Sequence, residues 1–252
     1  KAPATITAYN NQHFSDYGMD VINDLLFTLP GFSQGQDYDR TTVSFRGFFD
    51  SWSNNHILHL IDGIPMNDNA YGSAYTWMQP LFTSKTVEVI RGPGSALYGS
   101  NATNGVVQMN TFSASDLESS VYARVNLLGN NGAVRHQFLT GAEKDNLDFV
   151  LGYSFYKTEG NEYETYDGSN RGAYTLTNSA GRPTLLKQTN RDSKDDNYLW
   201  AKLTVGDEWM FQYHRQSWDF DTGHGWVFWV PDLDEEMNES RDIWSIKYQS
   251  DI

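Results

Sequence analysis

The chain contains no cysteine, which excludes a disulfide framework and thiolate metal ligation. It has no run approaching the ~18–20 apolar residues of a membrane-spanning helix, and no basic segment followed by an apolar one of the kind that directs export. Basic residues are scarce beside acidic ones: 18 Lys and Arg stand against 32 Asp and Glu, for a net charge of −14. The deficit is uneven, with five against nine in residues 1–113 and thirteen against twenty-three in residues 114–252. Such a surface repels polyanions, so no nucleic acid partner is expected. The six histidines fall in no H-E-x-x-H or similar spacing, and no metal site is expected. Ser95 and Ser100 lie among glycines, yet neither sits in G-x-S-x-G and no nucleophile–base pair stands out. The expectation is a protein that is not an enzyme and carries no cofactor.

What is present is 39% apolar and 15% aromatic residues in 252 positions, enough for one large domain or two ordinary ones. The mean hydropathy is negative. That does not exclude a membrane barrel, whose strands alternate lipid-facing apolar and lumen-facing polar residues and carry long polar loops.

The most informative stretch is Lys85 to Thr111. Two β-rich runs, Thr86–Ile90 and Val106–Asn110, flank a glycine-rich elbow holding Gly92, Pro93, Gly94, Gly99 and Gly105. Ser95–Tyr98 within it is long enough for one helical turn. No lysine follows the glycines, so the pattern of a phosphate-binding loop is absent. The stretch V-E-V-I-R-G-P-G-S-A-L-Y-G-S-N-A-T-N-G-V-V-Q-M-N-T resembles the segment that closes the plug domain of TonB-dependent outer-membrane receptors. Three upstream blocks occur in that family's order: Asp24–Gly31, Val43–Gly47 and Leu58–Pro65. The resemblance covers roughly residues 5–112 and implies a compact α+β plug over residues 1–113.

Within it, Thr5–Ala8 reads as a strand and Asp20–Leu29 as an amphipathic helix, with Val21, Leu25 and Leu29 at helical spacing and Pro30-Gly31 as its stop. Strands follow at Thr42–Arg46 and His56–Ile61, the latter closing in an Asp62-Gly63 turn. After Phe112 the pattern changes to period two. Six strands are expected, at Val121–Leu128, Val134–Thr140, Leu147–Lys157, Tyr198–Val205, Trp209–Arg215 and Asp242–Tyr248. Each is near the ~9–11 residues of a tilted membrane strand. Their connections run short, short, long, short, long, so both long ones fall on one side, as in barrels with short periplasmic turns and long outer loops. A soluble β-sandwich has no reason to sort its loops this way.

The expected fold class is therefore an α+β plug followed by antiparallel transmembrane β-barrel strands within residues 114–252, part of a barrel of about 22 strands. Six strands with open edges cannot face lipid, so the rest is expected from a C-terminal remainder or a second chain. The resemblance implies an outer-membrane receptor of a Gram-negative bacterium importing a scarce ligand, an iron–siderophore or similar metal chelate by default. It also implies a TonB-type periplasmic energy transducer as partner, with lipopolysaccharide around the barrel. No convincing copy of the family's coupling segment is found in Lys1–Tyr9. By the same resemblance, Arg46 and Arg91 occupy positions of plug arginines that pair with barrel-wall carboxylates, and Phe48, Phe49, Trp52, Tyr71 and Tyr75 lie in loops that approach the ligand. Trp226, in a long outer loop, is a further candidate to cap it. Packing against the wall is the competing role for these aromatics, a hydrogen bond to plug loops for Arg46, and a simple turn for Asp62. Two other readings remain: a structural or adhesive outer-membrane component with an immobile plug, and a soluble two-domain binding module.

Overall fold

The computed structural model describes residues 5–37, 40–48, 54–117, 121–128, 132–166, 187–221 and 236–250. The N-terminal part holds β1 (Thr5–Asn10), α1 (Asn11–Asp16), α2 (Ile22–Leu26), β2 (Phe32–Asp37), β3 (Arg40–Phe45), β4 (Ile57–Ile61), β5 (Ile64–Pro65), β6 (Ser84–Arg91), α3 (Ser95–Tyr98) and β7 (Gly105–Thr111). Five of these strands form one sheet in the order β1-β6-β7-β4-β5, while β2 and β3 pair separately. All pairings in the larger sheet are antiparallel except β4 with β7, which run parallel.

Both faces of the central strands are covered, which explains why β4 is apolar but for His59 and buried throughout. Ile22, Leu25 and Leu26 of α2 pack with Ile57, Ile61, Val87, Val89, Val107 and Met109. Leu58, Leu60, Ile90, Ala102 and Val106 cluster separately. Each such side chain contributes roughly 1.5–3 kcal/mol by leaving water. The helix expected over Asp20–Leu29 is shorter, because Val21 is extended and bridges Pro80. Asp24 fixes the start by accepting from the Asp20 and Val21 N–H groups at 2.9 and 3.0 Å. Asp20 is thereby turned out of the helix. The glycine-rich elbow is as expected, with α3 as its single turn and Gly92 and Gly99 at φ +144° and +84°.

A 3₁₀ turn (Ala114–Asp116) leads to the second part. There β8 (Val121–Leu128), β9 (Ala133–Lys144), β10 (Leu147–Thr158), β13 (Lys194–Val205), β14 (Trp209–Asp221) and β15 (Glu236–Tyr248) form a six-stranded antiparallel meander. Between β10 and β13, β11 (Glu162–Tyr166) and β12 (Lys187–Arg191) make a small hairpin of their own. The six expected strands are all present. Several run longer than their alternation suggested, since β13 to β15 extend through polar stretches such as Lys194–Asn197 and Gln216–Asp221. Turns 145–146 and 206–208 lie at one end, and the strand ends Leu128, Ala133, Thr158, Lys194, Asp221 and Glu236 at the other.

The faces of this sheet are sorted in the sense opposite to a soluble protein. Leu147, Phe149, Tyr153, Trp209, Phe211, Trp244, Ile246 and Tyr248 are exposed, whereas Gln137, Ser154, Lys202, Gln212, His214 and Gln216 are buried. The ladder stacks the outward residues in rows: Phe149 opposite Leu203, and Leu203 opposite Phe211. The inward face, which mixes the buried polar side chains with Leu139, Val150, Trp200 and Trp218, lies against the N-terminal part. Gly152 permits the close approach, since a Cβ there would stand 3.0 Å from Thr83 Cγ2 and 3.1 Å from the Trp200 ring. Among the described residues no helix is long and apolar enough to cross a membrane.

Candidate functional site

Three groups of polar contacts join the N-terminal part to the wall of strands, beside an apolar seam where Phe82, Phe112 and Leu117 meet Leu139, Val150 and Trp200; a stiff loop supplies part of the first group. The loop runs from Met66 to Met78. Asp68 organises it by accepting from the N–H groups of Ala70 and Tyr71 at 2.7 Å each and of Ser73 at 2.6 Å. Burial pushes the Asp68 carboxyl up, but the Tyr71 N–H, the Ser73 hydroxyl and the other amides outweigh it and hold the group below its ordinary value. Asn67 and Asn101 both donate to Gly72 O, at 2.7 and 2.8 Å. Tyr71 is consequently an exposed ring, 65% accessible, on a backbone with little freedom.

At the end of the wall nearer the long connections, Tyr75 is taken up by the strands. Its ring lies 4.9 Å from Trp218, its hydroxyl donates to Glu239 at 3.1 Å, and the Arg241 guanidinium sits over it at 4.4 Å. Burial and the Glu239 charge push the Tyr75 hydroxyl well above its usual range, so it stays protonated and remains a donor. Trp77 meets Trp218 edge-on, and Arg241 also donates to Met66 O at 2.8 Å and to Gln216. Gln216 in turn donates to Gln79 at 2.9 Å.

Towards the opposite end, Asp62 receives the Thr111 N–H at 2.8 Å, the Thr111 hydroxyl, and the amide of Gln212 from β14. Lys202 Nζ of β13 lies 3.8 Å from the carboxylate and donates to Thr111 Oγ1 at 2.7 Å. A second acid, Asp20, faces β8 and β9, where Asn126 donates at 3.0 Å and Arg124 and Arg135 stand at 3.9 and 3.7 Å. His59 is buried in β4, its Nε2 3.2 Å from Met109 Sδ. Burial, with the nearby Arg241 and His214, lowers its pKa to about 3, so the ring is neutral.

Residues 1–106 match the family model described as TonB-dependent Receptor Plug Domain. The vitamin B12 transporter BtuB of Vibrio vulnificus is 35% identical over 121 residues, which are 47% of this chain and 19% of that protein. The iron-regulated outer membrane virulence protein of Vibrio cholerae is 28% identical over 162 residues, 60% of this chain and 24% of that protein. In fold, the chain is similar over its whole length to 39% of the ferric enterobactin receptor PfeA, with a TM-score of 0.62 at 16% identity. The siderophore receptor PirA of Acinetobacter baumannii is similar over 96% of this chain, with a TM-score of 0.61 at 17% identity. The first 106 residues of this chain are a plug domain of the TonB-dependent receptor type. Its N-terminal sheet is that plug, the whole chain has the fold of part of such a receptor, and its place is the outer membrane of a Gram-negative bacterium. It spans about a fifth to a quarter of the length of these curated relatives.

Among the residues singled out from the sequence, Phe48 and Tyr71 are exposed and Tyr75 is buried against the wall. Phe49, Trp52 and Trp226 lie outside the described residues. Arg46 is exposed, with φ +50° and its guanidinium 5.1 Å from the Phe45 ring centroid. Arg91 donates to Pro30 O at 3.3 Å and to Thr7 Oγ1 at 3.0 Å, both within the plug. Sequence reasoning passed over Asp20, Lys202, Glu239 and Arg241, and treated Asp62 as a turn residue. Period-two alternation does place Lys202 and Arg241 on the lumen face. It does not say what they touch.

Proposed function

We propose that this chain provides the plug, residues 1–113, and the first six wall strands, within residues 114–252, of a receptor that imports a metal chelate by energy coupling, with an iron–siderophore complex as ligand. The observation that supports this most directly is the sorted sheet: apolar side chains outward, and a partly polar inward face closed against the plug through Asp62, Gln79 and Tyr75. The relatives named for B12 and iron support import of a chelate in general. Phe48 and Tyr71 offer exposed rings suited to stacking on a flat ligand, with Phe49, Trp52 and Trp226 as further candidates. Tyr75 holds the loop behind Tyr71. Arg46 and Arg91 stand as plug arginines for carboxylates of wall strands outside this chain. Partners on this reading are those strands, a TonB-type periplasmic transducer and lipopolysaccharide.

A second reading, a cobalamin receptor, is favoured by the BtuB match across the plug. Titrating the purified receptor with ferric catecholate, ferric hydroxamate, haem and cyanocobalamin, followed by tryptophan fluorescence, separates the two. A tight quench by an iron chelate, weakened about tenfold in Tyr71→Ala, supports the first. Binding of cyanocobalamin alone supports the second, and binding of none of the four favours an immobile structural plug.

A further inference from the structure

Asp62 has φ +49°, beside Gly63 at φ +82°, in the turn between β4 and β5, a hairpin conformation that Asp-Gly favours. Its surroundings go beyond what the turn needs. Its N–H donates to Met109 O at 2.8 Å, its own carbonyl accepts from Lys247 of β15 at 3.4 Å, and its carboxylate is shared between plug and wall. On the plug side the carboxylate takes both donors of Thr111, the last residue of β7. On the wall side it takes Gln212 and faces Lys202, whose side chain is 7% exposed. Lys202 also reaches Thr111 Oγ1, so carboxylate, hydroxyl and ammonium close a triangle.

The polarity is the reverse of what Arg46 and Arg91 suggested. In this chain the described buried ties carry acid on the plug and base on the wall, at Asp62 with Lys202 and at Asp20 with Arg135 and the less buried Arg124. We propose that Asp62 is the positioning residue that fastens the plug to the wall, by making the end of β7 and the ammonium of Lys202 share one carboxylate. Removing either charge leaves the other buried without its partner, which is far costlier than losing an exposed pair. The plug cannot shift along the wall without breaking this junction, and breaking it releases β5, the end of β7 and two wall strands together. The inference rests on residues 1–113 being a plug that must move.

Hydrogen exchange by mass spectrometry on the whole receptor tests it, read without ligand or energy supply. Its outcome is therefore independent of whether the receptor imports a chelate, which the ligand titration decides. Asp62→Asn keeps a side chain that tolerates positive φ and removes only the charge. Lys202→Met removes the opposite charge from the wall and leaves the turn untouched. Each is expected to speed exchange in peptides covering 57–66 and 105–111 by about tenfold or more, with β9 and β10 unchanged. The double variant is expected to be no worse than the more severe single one, because the two charges act as a unit. Unchanged exchange in Asp62→Asn, or effects that simply add in the double variant, would leave Asp62 as a turn residue and overturn the proposal. If Asp62→Asn does not assemble, Lys202→Met decides alone, and unchanged exchange there overturns it equally.

Discussion

His59 lies in the middle of the plug sheet with one ring nitrogen against Met109 and the other, Nδ1, without a described partner. Its folded pKa of about 3 lies below the ordinary 6.5. The unfolded chain therefore binds the proton first as pH falls, and the contribution of His59 is complete above pH 6.5 and lost from there down towards pH 3. The slope is at most about 1.4 kcal/mol per pH unit. His59→Leu forfeits only the contact with sulfur, so calorimetry should find the plug little changed at pH 7 and more resistant than the parent at pH 4. Equal acid sensitivity in the two proteins would count against a neutral buried imidazole. Asp68 is a residue-scale device of another kind, three amides gathered on one carboxylate. Asp68→Ala should cost the loop about 1–2 kcal/mol, seen as faster exchange at Ala70, Tyr71 and Ser73 and weaker ligand binding, with the wall unaffected.

Within the wall, positions on the two faces of the sheet answer to different surroundings. Phe211 faces outward and Gly152, two strands away in the ladder, faces the plug. Phe211→Arg should destabilise the inserted wall by roughly 2–4 kcal/mol if it lies near the bilayer midplane, measured by reversible unfolding in lipid. Gly152→Val should leave insertion intact and lower the plug's own transition by roughly 1–3 kcal/mol, because its side chain meets Thr83 and Trp200. A single transition shifted equally by both would mean that plug and wall do not unfold separately. The alternation that makes this contrast possible was readable from the sequence, as were the four plug blocks, because both are periodic or local. α1 was missed because Asn11–Asp16 has one buried apolar residue, Phe14, and depends on the Asn10 cap. β2 was missed because its polar, glycine-containing stretch is a strand only by virtue of pairing with β3. The part of Asp62 played by its carboxylate was hidden for a similar reason: Asp-Gly is sufficient chemistry for a turn, and its wall partners lie 140 and 150 positions further on.

At the scale of the molecule, the outward rows of Leu147, Phe149, Phe211 and Trp244 require a lipid environment, and lipid sets a condition on the ends of the sheet. β8 and β15 each have one neighbour among the described strands, so one edge of each presents unpaired N–H and C=O groups. In hydrocarbon each such group costs several kcal/mol, a debt that no side-chain arrangement at the edge can remove. Exposed apolar residues at both edges, Val125 and Leu127 on β8 and Trp244 and Ile246 on β15, rule out shielding by water there. Further strands must therefore pair with both edges when the sheet is in the membrane. Protein extracted from the outer membrane with detergent should show these six strands travelling with additional β-rich polypeptide, whether covalently continuous or as a second chain that separates only on denaturation. Native and denaturing mass measurement decides between the two forms. Recovery of residues 1–252 alone, folded in detergent-free buffer, would instead require a soluble partner for the outward apolar rows and would remove the membrane wall from the account.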